Sequence, residues 1–160
     1  MSPERCRAVF FAALCASVAA VDQAAKYFLR AHPVKHWPWP GVFEFTAHAN
    51  YGLIGDTPVP QYVILPVMCA IMAYLAYKIF VSFAYETPWS RAALSLILGG
   101  ALGNLLDRLR FGFVFDWLML GNTSILNLAD MAIGLGILWY TYCFFRPNRL
   151  KKVDKVKDTV

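Results

Sequence analysis

The run Gly99-Gly-Ala-Leu-Gly-Asn-Leu-Leu-Asp-Arg108 holds Asp107, the first of three aspartates that lie between two strongly apolar stretches of this chain. The other two are Asp116 and Asp130, so the three carboxylates fall within 24 residues. An ionisable group at the boundary of an apolar, membrane-length stretch is costly to desolvate, and such groups usually mark a functional site. These aspartates are therefore the first candidates for chemistry.

The composition places the chain among membrane proteins. Of its 160 residues, 59% are hydrophobic and 16% are charged, and the mean hydropathy is +0.48. A soluble domain has about 45–50% apolar and about 25% charged residues. The net charge of +5 would suit nucleic acid, but the basic residues cluster beside apolar segments, as membrane topology requires. We therefore expect a membrane protein that binds no nucleic acid.

Four segments are apolar enough to cross a bilayer, for which a helix needs about 20 mostly apolar residues. The predicted spans cover about residues 8–28, 62–85, 91–109 and 128–145. Residues from about 30 to 60 are rich in proline, glycine and aromatic residues, and the alternation in Gly41-Val-Phe-Glu-Phe-Thr46 predicts a short strand there. The predicted fold class is mainly α, a polytopic membrane protein with four transmembrane helices and a small periplasmic β-rich insert between the first and second. Residues 1–160 then form a single membrane-embedded domain.

The basic residues predict the orientation of these spans. With four spans, ten lysines and arginines fall on one side of the membrane and four on the other. By the positive-inside rule, the first side is cytoplasmic. Both termini and a solvated basic tail, residues 146–160, are then cytoplasmic, whereas the insert and the aspartates face outward. The four outward residues are Arg30, Lys35, Arg108 and Arg110.

A cleavable signal peptide is an alternative interpretation of the N-terminus. Arg5 and Arg7 precede an apolar run and alanine-rich positions, as in secretory signals. Its removal would leave three spans and would break the parity that keeps the basic tail on the cytoplasmic side. The segment is therefore retained as the first span.

Asp116 and Asp130 are the candidates for a catalytic pair. Asp116 follows the third span and Asp130 lies just inside the fourth, and Gly121-Asn122 offers a turn that would return the chain to the same depth. Two carboxyl groups held close together share one proton, so that one can activate water while the other protonates the departing group. This is the arrangement of aspartic proteases.

The surroundings of the two acids predict different protonation states. Asn127 is placed to cap the fourth helix, so Asp130 would lie in its first turn, where the helix dipole favours a negative charge. Asp116, between Phe115 and Trp117, would hold the proton, because apolar neighbours disfavour the charged form. The alternatives are a plain capping role for Asp130 and a solvated loop position for Asp116.

Other polar residues are predicted to support this pair. Asn104, Asp107 and Arg108 share one helical face, from which Asp107 and Arg108 can form charge-assisted hydrogen bonds to loop backbone. Asp22 and Lys26 are four residues apart and can pair, and a structural pair is favoured over a proton relay. The Gly-x-x-x-Gly formed by residues 99 and 103 allows another helix to approach closely.

These segments resemble the bacterial lipoprotein signal peptidase family, signal peptidase II. The resemblance runs through Asp22-Gln-Ala-Ala-Lys26, Asn50-Tyr-Gly52, the run at 99–108, Gly112-Phe-Val-Phe-Asp116 and Asn127-Leu-Ala-Asp130. It implies an aspartic endopeptidase of the bacterial inner membrane. Such an enzyme removes the signal peptide of prolipoproteins on the N-terminal side of a diacylglyceryl-modified cysteine.

The resemblance also implies roles for individual residues. The catalytic pair falls on Asp116 and Asp130, and the substrate-binding or supporting positions fall on Asn50, Gly52, Asn104, Asp107, Arg108, Asn127, Asp22 and Lys26. We expect no metal and no other cofactor, lipidated prolipoproteins and membrane lipids as partners, and a monomer. Trp37 and Trp39 would anchor the insert at the headgroup level, where it would act as a lid.

The chain departs from the family pattern at two places. Leu53-Ile54-Gly55 follows Asn50-Tyr-Gly52 where small residues and then phenylalanine are usual, and the residues beside Asp116 are bulkier than usual on one side. Neither change touches the acids. We therefore expect activity with an altered substrate preference.

Other function classes explain the sequence less well. A proton-coupled carrier or ion pathway would use the same acids, but it favours acids at mid-membrane in several helices and an internal repeat, which is absent here. A non-catalytic binder of lipidated signal peptides would not need both acids. A zinc site on His32 and His36 is disfavoured, because Pro33 interrupts any helix that would align them.

Overall fold

A computed structural model describes residues 2–32, 43–53, 57–81, 86–121 and 124–146 of the chain. All four of the helices in this part are long and apolar enough to cross a membrane, so the predicted four-span, multi-pass architecture is confirmed. A small sheet accompanies them. The elements are α1 (Pro3–Ala31), β1 (Phe43–Asn50), α2 (Gln61–Phe80), α3 (Pro88–Phe111), β2 (Val114–Leu120), β3 (Ser124–Leu126) and α4 (Leu128–Phe145).

The helix ends follow local capping rather than hydropathy. Helix α3 begins at Pro88 and is capped by Thr87, whose side chain accepts a hydrogen bond from the Ser90 backbone N–H. The helix ends before Gly112, whose φ of 78° is the left-handed conformation that favours glycine. Helix α2 ends at Phe80, although the predicted span continued to residue 85. Most of the residues from 81 to 85 are apolar, so hydropathy alone marks no helix end there, and residues 82–85 lie outside the described residues.

Helix α3 lies at the centre of the bundle because its glycines admit the neighbouring helices. A Cβ atom at Gly99 would lie 2.7 Å from the Cys15 carbonyl oxygen of α1, and one at Gly103 would lie 2.6 Å from Asp22 Oδ2. On the other side, a Cβ at Gly100 would lie 2.5 Å from the backbone of α4. The close approach predicted from the Gly-x-x-x-Gly spacing is therefore confirmed, and it brings α1 against the polar face of α3.

The sheet joins two parts of the chain that are far apart in sequence. Its strand order is β1-β2-β3, with both pairs antiparallel, and His48 lies opposite Asp116 in the β1–β2 register. The strand predicted near residues 41–46 is observed over Phe43–Asn50. Strands β2 and β3, however, arise from the α3–α4 connection, which the sequence analysis treated as a return loop. Residues 114–117 are buried, so the usual alternation of apolar and polar residues is absent from that segment.

The outer surface of the bundle is apolar and its interior is partly polar. Large apolar side chains are exposed along all four helices, as suits contact with lipid, whereas several charged residues are completely buried. The buried charges include Asp22, Lys26 and Asp107. Trp37, Trp39, Ile54 and Gly55, which carried the expectations about the insert and its loop, lie outside the described residues.

Candidate active site

In the structure, Asp116 and Asp130 both accept hydrogen bonds from Asn127. Strand β2 carries Asp116, which is 1% exposed, and the first turn of α4 carries Asp130. Asn127 Nδ2 donates a hydrogen bond to Asp116 Oδ1 at 2.6 Å, and the Asn127 backbone N–H donates to Asp130 Oδ2 at 3.2 Å. The two acids therefore belong to one hydrogen-bonded site, as the pairing hypothesis requires.

Asn127 caps helix α4 as predicted. Its side-chain oxygen accepts a hydrogen bond from the Asp130 backbone N–H at 2.9 Å, while Asp130 returns the bond to the Asn127 backbone N–H, which completes a capping box. The first-turn position of Asp130 is therefore confirmed. There the dipole of α4 favours a negative charge on this residue.

Neutral amides surround the remaining carboxylate oxygens. Asn50 Nδ2 donates to Asp116 Oδ2 at 3.0 Å, and Asn104 Nδ2 donates to Asp130 Oδ1 at 2.8 Å. Each of the four carboxylate oxygens therefore accepts a hydrogen bond from an uncharged N–H group. Within the part of the chain that the structure describes, neither acid forms an ion pair.

The surroundings of Asp116 favour its protonated form. Burial raises the pKa of this carboxyl to about 6, the hydrogen bond from Asn50 lowers it, and the charge of Asp130 raises it again. The bond from Asn127 and the charge of Lys26 oppose the rise but do not cancel it. This direction agrees with the hypothesis that Asp116 holds the proton, although the assignment within the pair stays a prediction.

Arg108 and Asp107 fasten the backbone on either side of the acids. Arg108 Nη2 donates to the Gly52 carbonyl oxygen, and Asp107 Oδ2 accepts from the Phe115 backbone N–H at 3.0 Å. The predicted bond to loop backbone is therefore confirmed for Arg108, whereas Asp107 accepts its bond from strand β2, which the sequence analysis took for a loop. The Arg108 Nε and Nη1 atoms are buried and, among the described residues, have no hydrogen-bond partner.

A buried lysine lies behind the acids. Lys26 Nζ contacts Asp22 Oδ2 at 2.8 Å, Asp107 Oδ2 at 3.0 Å and Asn104 Oδ1 at 3.0 Å. The other oxygen of Asp22 accepts from the Ala129 backbone N–H at 2.9 Å, at the start of α4. The predicted Asp22–Lys26 pair is therefore confirmed, and it joins α1 to both helices that carry site residues.

Arg30 belongs to this network but was not singled out from the sequence. Its Nη2 lies 3.3 Å from Asp107 Oδ1, and its guanidinium lies 4.1 Å from the centroid of the Phe111 ring and 4.7 Å from that of Phe115. These contacts hold the strand segment that leads to the catalytic candidate. The available signal was its spacing, because Arg30 lies four residues after Lys26 on the same helical face.

Two further residues were given no role from the sequence. Gln23 Nε2 donates to the Gly103 carbonyl oxygen at 3.0 Å and to Asp107 Oδ1 at 3.1 Å, so it ties α1 to α3. The backbone of His48 pairs with that of Asp116 across the sheet. Cross-strand pairing depends on register, which the sequence alone did not reveal.

Comparisons with known proteins agree on one family. Residues 14–146 match the family model described as signal peptidase (SPase) II. The lipoprotein signal peptidase of Moorella thermoacetica is 38% identical over 135 residues, covering 80% of this chain and 87% of that protein. The one from Dehalococcoides mccartyi is 32% identical over 146 residues, covering 88% and 91%.

A solved structure supports the fold independently. A bacterial membrane enzyme determined by the in meso method at 1.9 Å resolution superposes with a TM-score of 0.74, covering 86% of this chain and 94% of that one. The identity is 24%, so this likeness concerns the fold alone.

Proposed function

This chain belongs to the signal peptidase II family of membrane aspartic endopeptidases, and we propose that its catalytic pair is Asp116 and Asp130. The substrate would be a diacylglyceryl-modified prolipoprotein, cut on the N-terminal side of the modified cysteine. The observation that carries the assignment is the shared contact with Asn127, which hydrogen-bonds one oxygen of each acid.

In the proposed reaction, the acids divide the work of general base and general acid. Ionised Asp130 takes a proton from water, and the resulting hydroxide attacks the scissile carbonyl carbon. Protonated Asp116 gives its proton to the carbonyl oxygen, so a neutral tetrahedral diol forms. When the C–N bond breaks, Asp130 gives its proton to the departing amine nitrogen, and a hydroxyl of the diol gives its proton to Asp116 as the carboxylic acid product forms. The pair then again holds one proton, on Asp116.

Arg108 would hold the peptide beside the acids. Its Nη2 is occupied by the Gly52 carbonyl, while Nε and Nη1 are buried without a partner among the described residues. Buried guanidinium donors without acceptors are costly, and main-chain carbonyl oxygens of a substrate would satisfy them. We therefore propose that an extended substrate segment lies between the Asn50–Gly52 loop and the acids.

The location of the site suits a lipid-anchored substrate. Asp116 lies in the sheet and Asp130 in the first turn of a membrane-spanning helix, so both are at one boundary of the bundle. The acyl chains of the substrate can then remain among the apolar helix surfaces while the scissile bond meets water. We place this boundary on the outer face of the bacterial inner membrane with both termini cytoplasmic, on the distribution of basic residues.

The test is cleavage of a lipidated prolipoprotein by the purified enzyme in lipid bicelles. Asp116→Asn and Asp130→Asn should each lower turnover by at least about 1,000-fold, because each removes a group that transfers a proton. Glu86→Gln is the matched control, since Glu86 is a buried acid at the opposite end of α3 that pairs with Lys78. Its turnover should stay within about threefold of wild type. A chelator should have no effect on the wild-type rate. Unchanged turnover in either aspartate variant would remove the proposed pair.

A further inference from the structure

We propose that Lys26 is a positioning residue of this reaction, which fixes the direction of the Asn104 amide that bonds to Asp130 and supports the Asn127 amide that bonds to Asp116. The proposal rests on the function proposed above. Lys26 touches neither acid directly, and its ammonium group reaches the site through Asn104. Its role in the reaction therefore depends on what the Asn104 amide does.

An asparagine amide has a donor end and an acceptor end that are nearly equal in size, so packing alone selects poorly between its two orientations. An ammonium group can only donate. Lys26 Nζ lies 3.0 Å from Asn104 Oδ1, which directs Nδ2 of the same amide to Asp130 Oδ1 at 2.8 Å. If the Asn104 amide were reversed, its Nδ2 would face the Lys26 ammonium group, so that two donors would meet. Its Oδ1 would face the Asp130 carboxylate, so that two acceptors would meet.

The hydrogen bonds of Asn104 also lead to the second acid, Asp116, through Asn127. Asn104 Oδ1 also accepts from Asn127 Nδ2 at 3.2 Å, and that nitrogen donates to Asp116 Oδ1 at 2.6 Å. Asn127 Oδ1 is in turn occupied by the Asp130 backbone N–H. Lys26 therefore sets the direction of the Asn104 amide, and the bond between Asn104 and Asn127 supports the orientation of Asn127 that the Asp130 backbone N–H also selects.

The position of Lys26 is itself fixed. Its three protons match three acceptor oxygens, on Asp22, Asp107 and Asn104, and the residue is completely buried. The two carboxylates are held by backbone N–H groups, of Ala129 and Phe115 respectively. These carboxylates offset much of the charge of Lys26, and its one direct hydrogen bond toward the catalytic pair is the one to the Asn104 amide.

A double-mutant cycle between Lys26 and Asn104 tests this mechanism. Lys26→Met should lower kcat about 10- to 100-fold, the range expected for one hydrogen bond to a charged group. In an Asn104→Ala background the same change should cost less than about threefold, because no amide remains to be oriented. Lys26→Arg, which also can only donate, should recover part of the activity.

Two controls separate orientation from folding. Lys78→Met removes another lysine of an ion pair, which contacts Glu86 at 2.6 Å near the opposite end of α3, about 24 Å of helix away. It should lower the midpoint of thermal unfolding but leave kcat within about threefold. If Lys26→Met fails to fold, Asp22→Asn/Lys26→Met replaces it in the cycle, with Asp22→Asn as its reference, because this pair removes one charge of each sign.

Equal losses of kcat in the two backgrounds would overturn the proposal, since a purely structural lysine would weaken both proteins alike. Full activity of Lys26→Met would overturn it as well. Asp130→Asn is measured alongside to separate the two levels of inference. If Asp130→Asn remains active, the proposed function fails; if it is inactive and the cycle is additive, only the role of Lys26 fails.

Discussion

Replacing Asp116 by asparagine should abolish cleavage and also change how stability depends on pH. Burial raises the pKa of this carboxyl from 3.8 to about 6 in the folded protein. The folded state therefore binds more protons than the unfolded state between those two values. The stabilisation from this proton is fully present below about pH 3.8 and is lost as the pH rises through about 6.

The expected magnitude follows from the difference between the two pKa values. About two units, at about 1.4 kcal/mol each, correspond to about 3 kcal/mol of stability that the wild type loses between pH 4 and pH 8 on account of this residue. Asparagine carries no proton to lose. It also cannot accept hydrogen bonds at both positions facing Asn50 and Asn127, but that mismatch is independent of pH.

The assay is thermal unfolding of the purified protein in detergent micelles at pH 4 and pH 8. Relative to wild type, the midpoint of Asp116→Asn should rise by about 6–12 °C on going from the lower to the higher pH, since about 1 kcal/mol shifts the midpoint of a chain of this size by about 2–4 °C. Ser124→Ala, in the neighbouring strand, changes no titratable group and should show the same midpoint difference at both values. The reasoning would be refuted if the unfolding midpoint of Asp116→Asn, relative to wild type, were the same at pH 4 and pH 8 or were lower at pH 8.

Three further substitutions test the framework of the site. Asn127→Ala should lower kcat/KM by about 100-fold or more and cost about 1 kcal/mol of stability, because it removes both the helix cap and the bond to Asp116; turnover and unfolding midpoints measure the two effects. Gly103→Ala should cost about 1–3 kcal/mol, since its Cβ would lie 2.6 Å from an Asp22 oxygen, whereas Gly134→Ala in α4 meets nothing within 4 Å and should be neutral or stabilising in the same unfolding assay. Arg30→Met should lower the midpoint more than Arg30→Lys, which keeps the charge but not the flat guanidinium face; equal midpoints would show that stacking contributes nothing.

Local signals in the sequence predicted the parts of the site that depend on neighbouring residues. Asn127 and Asp130 are three residues apart, and a capping box needs only that spacing and a following helix. The pairing of Asp22 with Lys26 likewise depends on a single turn of α1. Such contacts form once the helix forms, so the spacing of residues in the sequence was sufficient to predict them.

Contacts between segments that are distant in the sequence could not be predicted from local patterns. The β2–β3 hairpin was missed because the residues around Asp116 are buried, and a continuous apolar run does not distinguish a strand from a loop at the membrane boundary. The bond from Asn50 to Asp116 crosses 66 residues and depends on the register of β1 against β2. The end of α2 at Phe80 was also not predicted, since mostly apolar residues follow it in the sequence.

The choice of asparagines around the acids follows from the chemistry that the pair must perform. A cation about 4 Å from Asp116 would favour its charged form by about 4 kcal/mol at an effective dielectric constant of 20, which would lower the pKa and remove the proton needed for the carbonyl oxygen. Amide N–H groups orient the carboxyl oxygens without so large an effect. The charge of Lys26 lies further from the acids, behind the Asn104 amide, where it pairs with Asp22 and Asp107. In the proposed mechanism, the polar core therefore orients the two acids while allowing the pair to keep one proton.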